Sequence, residues 1–89
     1  MMMDATWYIY MILTKKNRLY TGISTDPERR FIEHLTDRKK GAKFFRSDEP
    51  VLIVHLEEAI SLSEALKREI AIKKLTRSQK ERLYVLSTV

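Results

Sequence analysis

The carboxylate of Glu69 lies where the surrounding pattern predicts an apolar surface. At 100° per residue, the apolar face of a helix predicted over residues 62–75 consists of Leu62, Ala65, Leu66, Ile70 and Ile72. In projection Glu69 falls in the middle of this face. An unpaired buried charge is very costly, so the carboxylate must be paired, bind a cation or border a cleft. An ion pair with Lys73, one turn further on, is the structural alternative.

Arg30 and His34 are spaced to act together on a second helix. Asp26 can accept the free N–H groups of a helix start and Pro27 suits the first helical position, which predicts a helix from there to about Leu35. Because Arg30 and His34 are four residues apart, they share one side of it and could grip a phosphate. The alternative is the polar boundary of an ordinary amphipathic helix.

Three tyrosines and a glycine occupy a predicted hairpin. Strand alternation puts Tyr8 and Tyr10 on one face of the first strand, and Tyr20 and Gly22 on one face of the second. The two faces coincide if the loop between the strands has an odd number of residues. Tyrosines in strands are usually packing residues, which is the alternative. A glycine inside a strand often lets a ligand or another backbone approach closely.

A cluster of cations follows the first predicted helix. The chain has 17 Lys and Arg against 12 Asp and Glu, a net charge of +5. Such a charge is common in proteins that bind nucleic acid, and also occurs without that function. Five of the basic residues lie within residues 36–46, so positive charge is concentrated in one loop, which favours nucleic-acid binding. They are Arg38, Lys39, Lys40, Lys43 and Arg46, and we expect the last four of these to contact phosphates.

The remaining pattern supplies the elements that would position these residues. Strands are predicted over residues 7–13, 19–23 and 51–56, and the third is predicted to be buried on both faces. Helices are predicted over 26–35, 62–75 and 76–83, the last two after capping-box sequences. The 89 residues suffice for one core, so we predict a single domain over 1–89 with its core at 7–83. The predicted fold class is α+β, with a small, three-stranded, mainly antiparallel sheet flanked by helices.

Composition excludes several classes of site. The chain has no cysteine, which rules out a disulfide framework, a thiolate zinc site and a cysteine nucleophile. This composition fits a reducing cytoplasm, where we expect the protein to act. The longest strongly apolar run, residues 7–13, is far shorter than the roughly 20 residues of a membrane span, so no membrane contact is predicted.

The hairpin sequence resembles a known pair of motifs. Residues 8–10 read Tyr-Ile-Tyr and residues 20–22 read Tyr-Thr-Gly, similar to the paired motif of the GIY-YIG nuclease superfamily. Tyrosine replaces the first glycine and threonine the middle isoleucine. The likeness extends to Arg30, His34 and Glu69, and covers residues 7–83. It is closest to the small stand-alone bacterial members, although the asparagine that many members carry after the glutamate helix is absent.

The resemblance implies roles for these residues. Glu69 would hold one divalent cation, Mg²⁺ or Mn²⁺, that acts as a Lewis acid at the scissile phosphate. Tyr10 would help to deprotonate the attacking water, and Tyr20 would orient water or phosphate. Arg30 would stabilise the charge that grows on the phosphate, and His34 would bind phosphate or assist Tyr10. A free phenol has a pKa near 10, so Tyr10 needs cationic neighbours: Arg30, His34 and the metal are the candidates.

Two further residues are expected near this site. By the same resemblance, the strand glycine Gly22 would leave room for the phosphate. Tyr8 shares a predicted strand face with Tyr10 and would lie beside the catalytic group.

Three functions compete on this sequence. The first is a metal-dependent endonuclease acting on DNA that is branched, nicked or single-stranded. The second is a nucleic-acid-binding or adaptor module with little activity, and the third is a basic protein–protein interaction domain. The inward position predicted for Glu69 favours the first, because a carboxylate repels phosphate unless a cation lies between them. Target choice would come from the basic loop, from a partner protein or from the shape of the nucleic acid.

Overall fold

The computed structural model describes residues 5–87, with side chains to Tyr84. The elements, in chain order, are β1 (Trp7–Thr14), β2 (Leu19–Ser24), α1 (Pro27–Thr36), a short 3-10 helix (Lys43–Arg46), β3 (Pro50–Ala59), α2 (Leu62–Lys73) and α3 (Arg77–Ser87). This order confirms the predicted α+β class. The ends of the predicted domain, residues 1–4 and 88–89, lie outside the described residues.

The three strands form one antiparallel sheet with β1 in the centre and β2 and β3 at the edges. The turn between β1 and β2 contains Asn17 at a φ of 62°, a left-handed conformation that asparagine tolerates better than most residues. The last paired positions are 13 and 19, so the loop 14–18 has an odd number of residues. Consequently Tyr10 pairs with Gly22, and Tyr20 lies on the same face as both.

Helices cover both faces of this sheet. Ile9 of β1 packs with Ala65 and Ile72 of α2, and α3 adds to the same layer. The next residue, Tyr10, points to the opposite face and packs with Phe45 of the 3-10 helix. Helix α1 lies on this second face as well. The central strand is therefore enclosed, and β2 and β3 provide the two open edges.

Helix α1 and the segment after it determine where the basic loop lies. Asp26 Oδ1 accepts the backbone N–H of Arg29 at 3.2 Å and Pro27 is the first helical residue, as predicted. The 3-10 helix interrupts the basic segment and is not predicted by the sequence pattern. Among the described residues, no helix has the length and apolar character that crossing a membrane requires.

The apolar face predicted for α2 is partly wrong. Ala65 and Ile72 are fully buried, but Leu66 and Ile70 are 43% and 53% exposed. The sheet has only three strands and α2 lies mainly over β1 and β2, so it buries a narrow stripe rather than a wide face. Glu69 lies on this buried stripe, between Ala65 and Ile72, and its side chain is 17% exposed.

The prediction that β3 is buried on both faces is also wrong. Val51, Leu52 and Leu56 are each nearly half exposed, because β3 is an edge strand. Its pairing with β1 also contains register shifts. A continuous apolar run is typical of a central strand. Here it leaves an exposed apolar edge instead.

Candidate active site

The side chains of Tyr10, Tyr20 and His34 form one cluster on the face of the sheet that α1 covers. The ring centroids of Tyr20 and His34 are 5.4 Å apart, and those of the two tyrosines 6.3 Å. Tyr10 Oη lies 2.9 Å from His34 Nε2. The ladder between β1 and β2 aligns the tyrosines, and α1 presents the histidine from its last turn. These three residues are in direct contact, and the other two residues predicted to be catalytic, Arg30 of α1 and Glu69 of α2, act electrostatically on the two phenols.

Two hydrogen bonds determine the tautomer of His34. The backbone N–H of Ala42 donates to His34 Nδ1 at 3.0 Å, so Nδ1 carries no proton. Burial, with a further contribution from the Arg30 charge, lowers the pKa of His34 to about 4. The ring is therefore neutral at pH 7, and its one proton lies on Nε2 and is donated to Tyr10 Oη. The expectation that His34 supplies positive charge to Tyr10 is wrong at neutral pH.

The phenol of Tyr10 is neutral in these surroundings. Burial, and then the neighbouring Tyr20, raise the pKa of Tyr10 well above its ordinary value, and Arg30 only partly offsets this. The Glu69 carboxylate raises that pKa further. Since Oη accepts a hydrogen bond from His34, its own O–H remains a donor, although Tyr10 is only 1% exposed. With these neighbours alone, Tyr10 is a donor and not yet a base.

Gly22 makes space for the Tyr10 ring. A Cβ atom on Gly22 would lie 2.4 Å from Tyr10 Oη and 2.6 Å from Cζ, closer than real contacts allow. Any side chain at this position must therefore displace the phenol. The expectation that the glycine leaves room for a phosphate is corrected, because the Tyr10 phenol fills that room.

Arg30 brings positive charge to the cluster from α1. Its guanidinium lowers the pKa of the Tyr10 and Tyr20 phenols, although burial keeps both pKa values above the ordinary one. Arg30 Nη1 donates to the carbonyl of Lys40 at 2.5 Å and to Glu33 Oε1 at 3.1 Å. The side chain is 31% exposed, so it remains able to contact a phosphate.

Glu69 reaches the same phenols from α2. Its carboxylate raises the pKa of both Tyr10 and Tyr20, which puts the charge within electrostatic reach of the cluster. Helix α2 packs on the opposite face of the sheet, but β2 is an edge strand and the Tyr10 phenol lies over it at Gly22. Glu69 Oε2 also lies 3.5 Å from Lys73 Nζ. This is the ion pair expected if Glu69 has only a structural role.

Glu69 is the candidate metal ligand. The described part of the chain has no group of three or more His, Asp or Glu side chains placed to hold a metal. A single carboxylate is unsuitable for zinc or calcium, whose sites use several protein ligands. It suits Mg²⁺, which keeps several waters and uses one or two carboxylates together with substrate phosphates, and Mn²⁺ accepts the same oxygen ligands. The donor set is compatible with the ion that the family resemblance implies.

The basic loop borders this cluster. Lys39, Lys40, Lys43 and Arg46 are all exposed. The backbone N–H groups of Lys39 and Lys40 both donate to Asp37 Oδ1 at 3.0 Å. The hydrogen bonds from Ala42 to His34 and from Arg30 to the Lys40 carbonyl join the loop to the site. Cations predicted to contact nucleic acid therefore lie next to the residues predicted to be catalytic.

Gly41 allows the loop to pack directly on the end of α1. A Cβ atom at Gly41 would lie 2.9 Å from the carbonyl oxygens of Asp37 and Glu33, and 3.0 Å from His34 Cα. These are backbone atoms that cannot move independently. A glycine is therefore required one residue before Ala42, whose N–H holds His34.

Tyr8 lies outside the cluster although it shares the strand face of Tyr10. It pairs with Ser24 of β2 and with Glu58 of β3. Its side chain lines a separate cavity beside the first turn of α1. The structure therefore does not bring Tyr8 together with the residues expected around it.

Phe44 and Phe45 are site residues that sequence reasoning missed. The Phe45 ring centroid lies 4.5 Å from that of His34 and 4.7 Å from that of Tyr20. Phe44 packs on Tyr20 at 5.3 Å, and the Arg18 guanidinium lies over the Phe44 ring at 4.3 Å. Two adjacent aromatic residues inside a basic segment were the available signal.

Asp48 was also missed, and it anchors the support of the site. Its buried carboxylate accepts hydrogen bonds from Thr14 Oγ1 at 2.6 Å, Arg18 Nε at 2.7 Å and the backbone N–H of Lys16 at 3.0 Å. Burial raises the pKa of Asp48, but these bonds outweigh burial and the net shift is downward. The hairpin turn is thereby fixed to the segment that carries the two phenylalanines. No periodic pattern indicates this residue.

The sequence and the fold both match known proteins. The profile of the family described as the GIY-YIG catalytic domain matches residues 6–82. A UPF0213 protein of Cupriavidus necator is 46% identical over 77 residues, which cover 86% of this chain and 82% of the relative. One of Pseudomonas aeruginosa is 44% identical over 79 residues, 89% of this chain and 74% of that protein. The solution NMR structure of a UPF0213 protein from Bacillus halodurans, 36% identical, has a TM-score of 0.57 and covers 91% of this chain and 84% of that one.

Proposed function

The chain belongs to the GIY-YIG catalytic domain family, and from that premise we propose that it is a metal-dependent endonuclease that hydrolyses phosphodiester bonds in DNA. The observation that supports this best is the cluster on one face of the sheet, in which Tyr10 Oη lies 2.9 Å from His34 Nε2 and the Tyr20 ring packs on His34. Arg30 from α1 and Glu69 from α2 both act electrostatically on Tyr10 and Tyr20. A module that only binds nucleic acid gains nothing from a carboxylate directed at the bound phosphate.

The residues of the chain divide the proposed hydrolysis between them. Arg30 binds the scissile phosphate and stabilises the negative charge that develops on its oxygens. His34 keeps its proton on Nε2, directed at Tyr10 Oη, and so favours the phenolate form of Tyr10 whenever that form is produced. As a phenolate, Tyr10 accepts a proton from the attacking water, which attacks phosphorus as hydroxide while the leaving oxygen departs with its electron pair; as a neutral phenol it donates a hydrogen bond to a phosphate oxygen. Tyr20, which packs beside both rings, orients water or phosphate.

Glu69 would hold the divalent cation, Mg²⁺ or Mn²⁺. When bound, such a cation supplies Lewis-acid chemistry by neutralising charge on the phosphate and on the leaving oxygen. Glu69 raises the pKa of Tyr10, so neutralising this carboxylate would also ease loss of the phenolic proton. The proposed role of Tyr10 as a proton acceptor thus depends on the charge state of Glu69.

The test compares the wild type with Glu69→Gln and Arg30→Ala on plasmid, forked and single-stranded DNA with Mg²⁺ or Mn²⁺. We expect Glu69→Gln to lose metal-dependent cleavage while binding is kept or tightened, because a repulsive charge is removed. Arg30→Ala should lose cleavage by about 100-fold or more. Glu64→Gln is the matched control, because Glu64 lies on the same helix and also pairs with a lysine, Lys67, at 3.5 Å.

The alternative is a nucleic-acid-binding module with the same fold, and the ion pair between Glu69 and Lys73 is the contact that favours it. In that case Glu69→Gln and Glu64→Gln should behave alike, each changing only the melting temperature. An exposed helical pair contributes about 0.5 kcal/mol, and a more buried one contributes more. If the wild type cleaves none of these substrates with either metal and Glu69→Gln lowers only the melting temperature, the endonuclease proposal is wrong.

A further inference from the structure

Two cavities lie between α1 and residues 51–56 of β3 in the described part of the chain. One cavity of about 640 Å³ is lined by residues 53–56 of this strand, and a second of about 400 Å³ by residues 51–53. The first cavity is also lined by Tyr8 of β1 and by Thr25 after β2, so it opens over the α1 face of the sheet, whereas the second has only β3 and α1 residues in its lining. Among residues 5–87, β3 pairs with β1 alone, so one row of its backbone groups points away from the sheet.

Helix α1 forms the other wall of both cavities. Its first turn, Pro27 and Glu28, lines the first cavity, and Phe31 and Ile32 line the second. Across from them, Leu52 and Leu56 of β3 are nearly half exposed, and Ile32 is 57% exposed. An open strand edge beside an apolar helix surface is a geometry that receives an extended peptide as an added strand. We call this space, between residues 27–32 and 51–56, the β3 groove.

The charge of the β3 groove is opposite to that of the molecule. Asp26 and Glu28 line it, whereas none of the chain's 17 lysines and arginines appears among its described lining residues. Asp26 has a distant partner in Arg29, at 3.8 Å, and Glu28 is exposed. A nucleic-acid backbone would be repelled here, so the charge selects a cationic ligand.

We propose that the β3 groove binds an extended, apolar and basic segment of a partner protein, which adds as a fourth strand to the edge of β3. Backbone hydrogen bonds along residues 51–56 provide the affinity, and alternate apolar side chains of the segment enter the space beside Phe31 and Ile32. A Lys or Arg of the segment pairs with Glu28. Neither cavity of the β3 groove is lined by Tyr10, Tyr20 or His34, so a partner bound there leaves that cluster uncovered and could direct the protein to its substrate.

The probe is a blocked eight-residue peptide in which valine alternates with threonine and a lysine stands at each end. Titrated into the ¹⁵N-labelled protein, it should shift the amide resonances of residues 51–56 and protect alternate ones from hydrogen exchange. A second peptide with N-methyl groups on alternate amides cannot complete the ladder, and should bind at least tenfold more weakly. A third peptide, with glutamate in place of each lysine, tests whether the β3 groove prefers a positively charged segment.

Two variants locate the binding. Ile32→Lys should weaken the lysine peptide at least tenfold, whereas Leu62→Lys, at an exposed leucine of α2 away from the groove, should have no effect. Glu28→Lys should reverse the preference, so that the glutamate peptide binds better than the lysine peptide. Nuclease activity on DNA should be unchanged by Ile32→Lys, which separates this proposal from the proposed function.

Three outcomes would overturn the proposal. The first is equal binding of the N-methylated peptide, which would exclude strand addition. The second is an effect confined to the basic loop or absent up to millimolar peptide. The third is a dimer of the protein alone, seen by sedimentation at rising concentration with protected β3 amides, which would show that a second copy occupies the edge.

Discussion

At the scale of single residues, the state of each group depends on neighbours that no motif describes. The motif positions of Tyr10 and His34 are apparent from sequence, but their charges are not. His34 is neutral because it is buried beside Arg30, and its proton lies on Nε2 because the Ala42 N–H occupies Nδ1. The expectation of a cationic histidine was wrong because spacing carries no information about burial. The role of Gly22 also depends on a contact that the sequence does not show, because the Tyr10 ring occupies the space where a side chain would lie.

The depressed pKa of His34 predicts how stability changes with pH. An unfolded histidine titrates near pH 6.5, whereas folded His34 has a pKa of about 4, so the unfolded chain binds more protons between these values. The free energy of unfolding should therefore fall as the pH is lowered through this window, by about 3 kcal/mol in all from this group. Urea denaturation at pH 7, 6 and 5 measures it. In His34→Gln the free energy of unfolding should fall less as the pH is lowered. In His55→Gln the part of the fall that comes from His34 should remain.

Tyr10→Phe should affect both stability and chemistry. Removing Oη leaves the buried Nε2–H of His34 without its acceptor, which costs about 1–3 kcal/mol. It also removes the group that accepts the proton of the attacking water, so cleavage should fall by at least 100-fold while DNA binding persists. Thermal unfolding, cleavage and binding are measured on the same protein, with Tyr84→Phe as the control. Unchanged cleavage would remove Tyr10 from the proposed mechanism.

At the scale of elements, the features that neighbouring residues determine were predicted correctly, whereas those that depend on long-range packing were not. The start of α1 at Asp26 and the hairpin of β1 and β2 depend on residues close together in sequence, and both are found as predicted. The position of β3 at a sheet edge and the narrow buried stripe of α2 depend on which elements meet in space. For that reason the periodic pattern overestimated burial at Leu56 and Leu66. The 3-10 helix escaped prediction because its aromatic residues pack on the tyrosine cluster rather than follow a local pattern.

Gly41→Ala should displace the basic loop from the end of α1. The new Cβ atom would lie within 3.0 Å of three backbone atoms, so the loop must move and the hydrogen bond from Ala42 to His34 must lengthen or break. Crowding of this kind costs about 1–3 kcal/mol. We expect a lower melting temperature and weaker DNA binding together, with a changed ¹⁵N shift of His34 Nδ1. Ser47→Ala, at an exposed position after the 3-10 helix, is the control, and an unchanged His34 signal would contradict the expectation.

At the scale of the whole molecule, charge is distributed unevenly along α1. The acidic residues Asp26 and Glu28 lie at its start, and the basic loop follows its end. Ten residues of helix span about 15 Å, which exceeds the Debye length of roughly 8 Å at physiological ionic strength. The acidic end therefore does not cancel the field of the loop. One end of α1 suits a polyanion and the other a cationic partner, so both could be bound at once.

The salt dependence of DNA binding tests the basic end of this arrangement. If Lys39, Lys40, Lys43 and Arg46 contact about four phosphates, the logarithm of the binding constant should fall with the logarithm of salt concentration with a slope of about −3 to −4. Replacing all four with Ala should bring the slope to about −1, the value that the remaining Arg30 contact leaves, and sequence preference should be slight throughout. Lys67→Ala with Arg82→Ala, two exposed cations on α2 and α3, is the control and should keep the slope. A slope that stays at its original value in the fourfold variant would place the phosphate contacts elsewhere on the molecule.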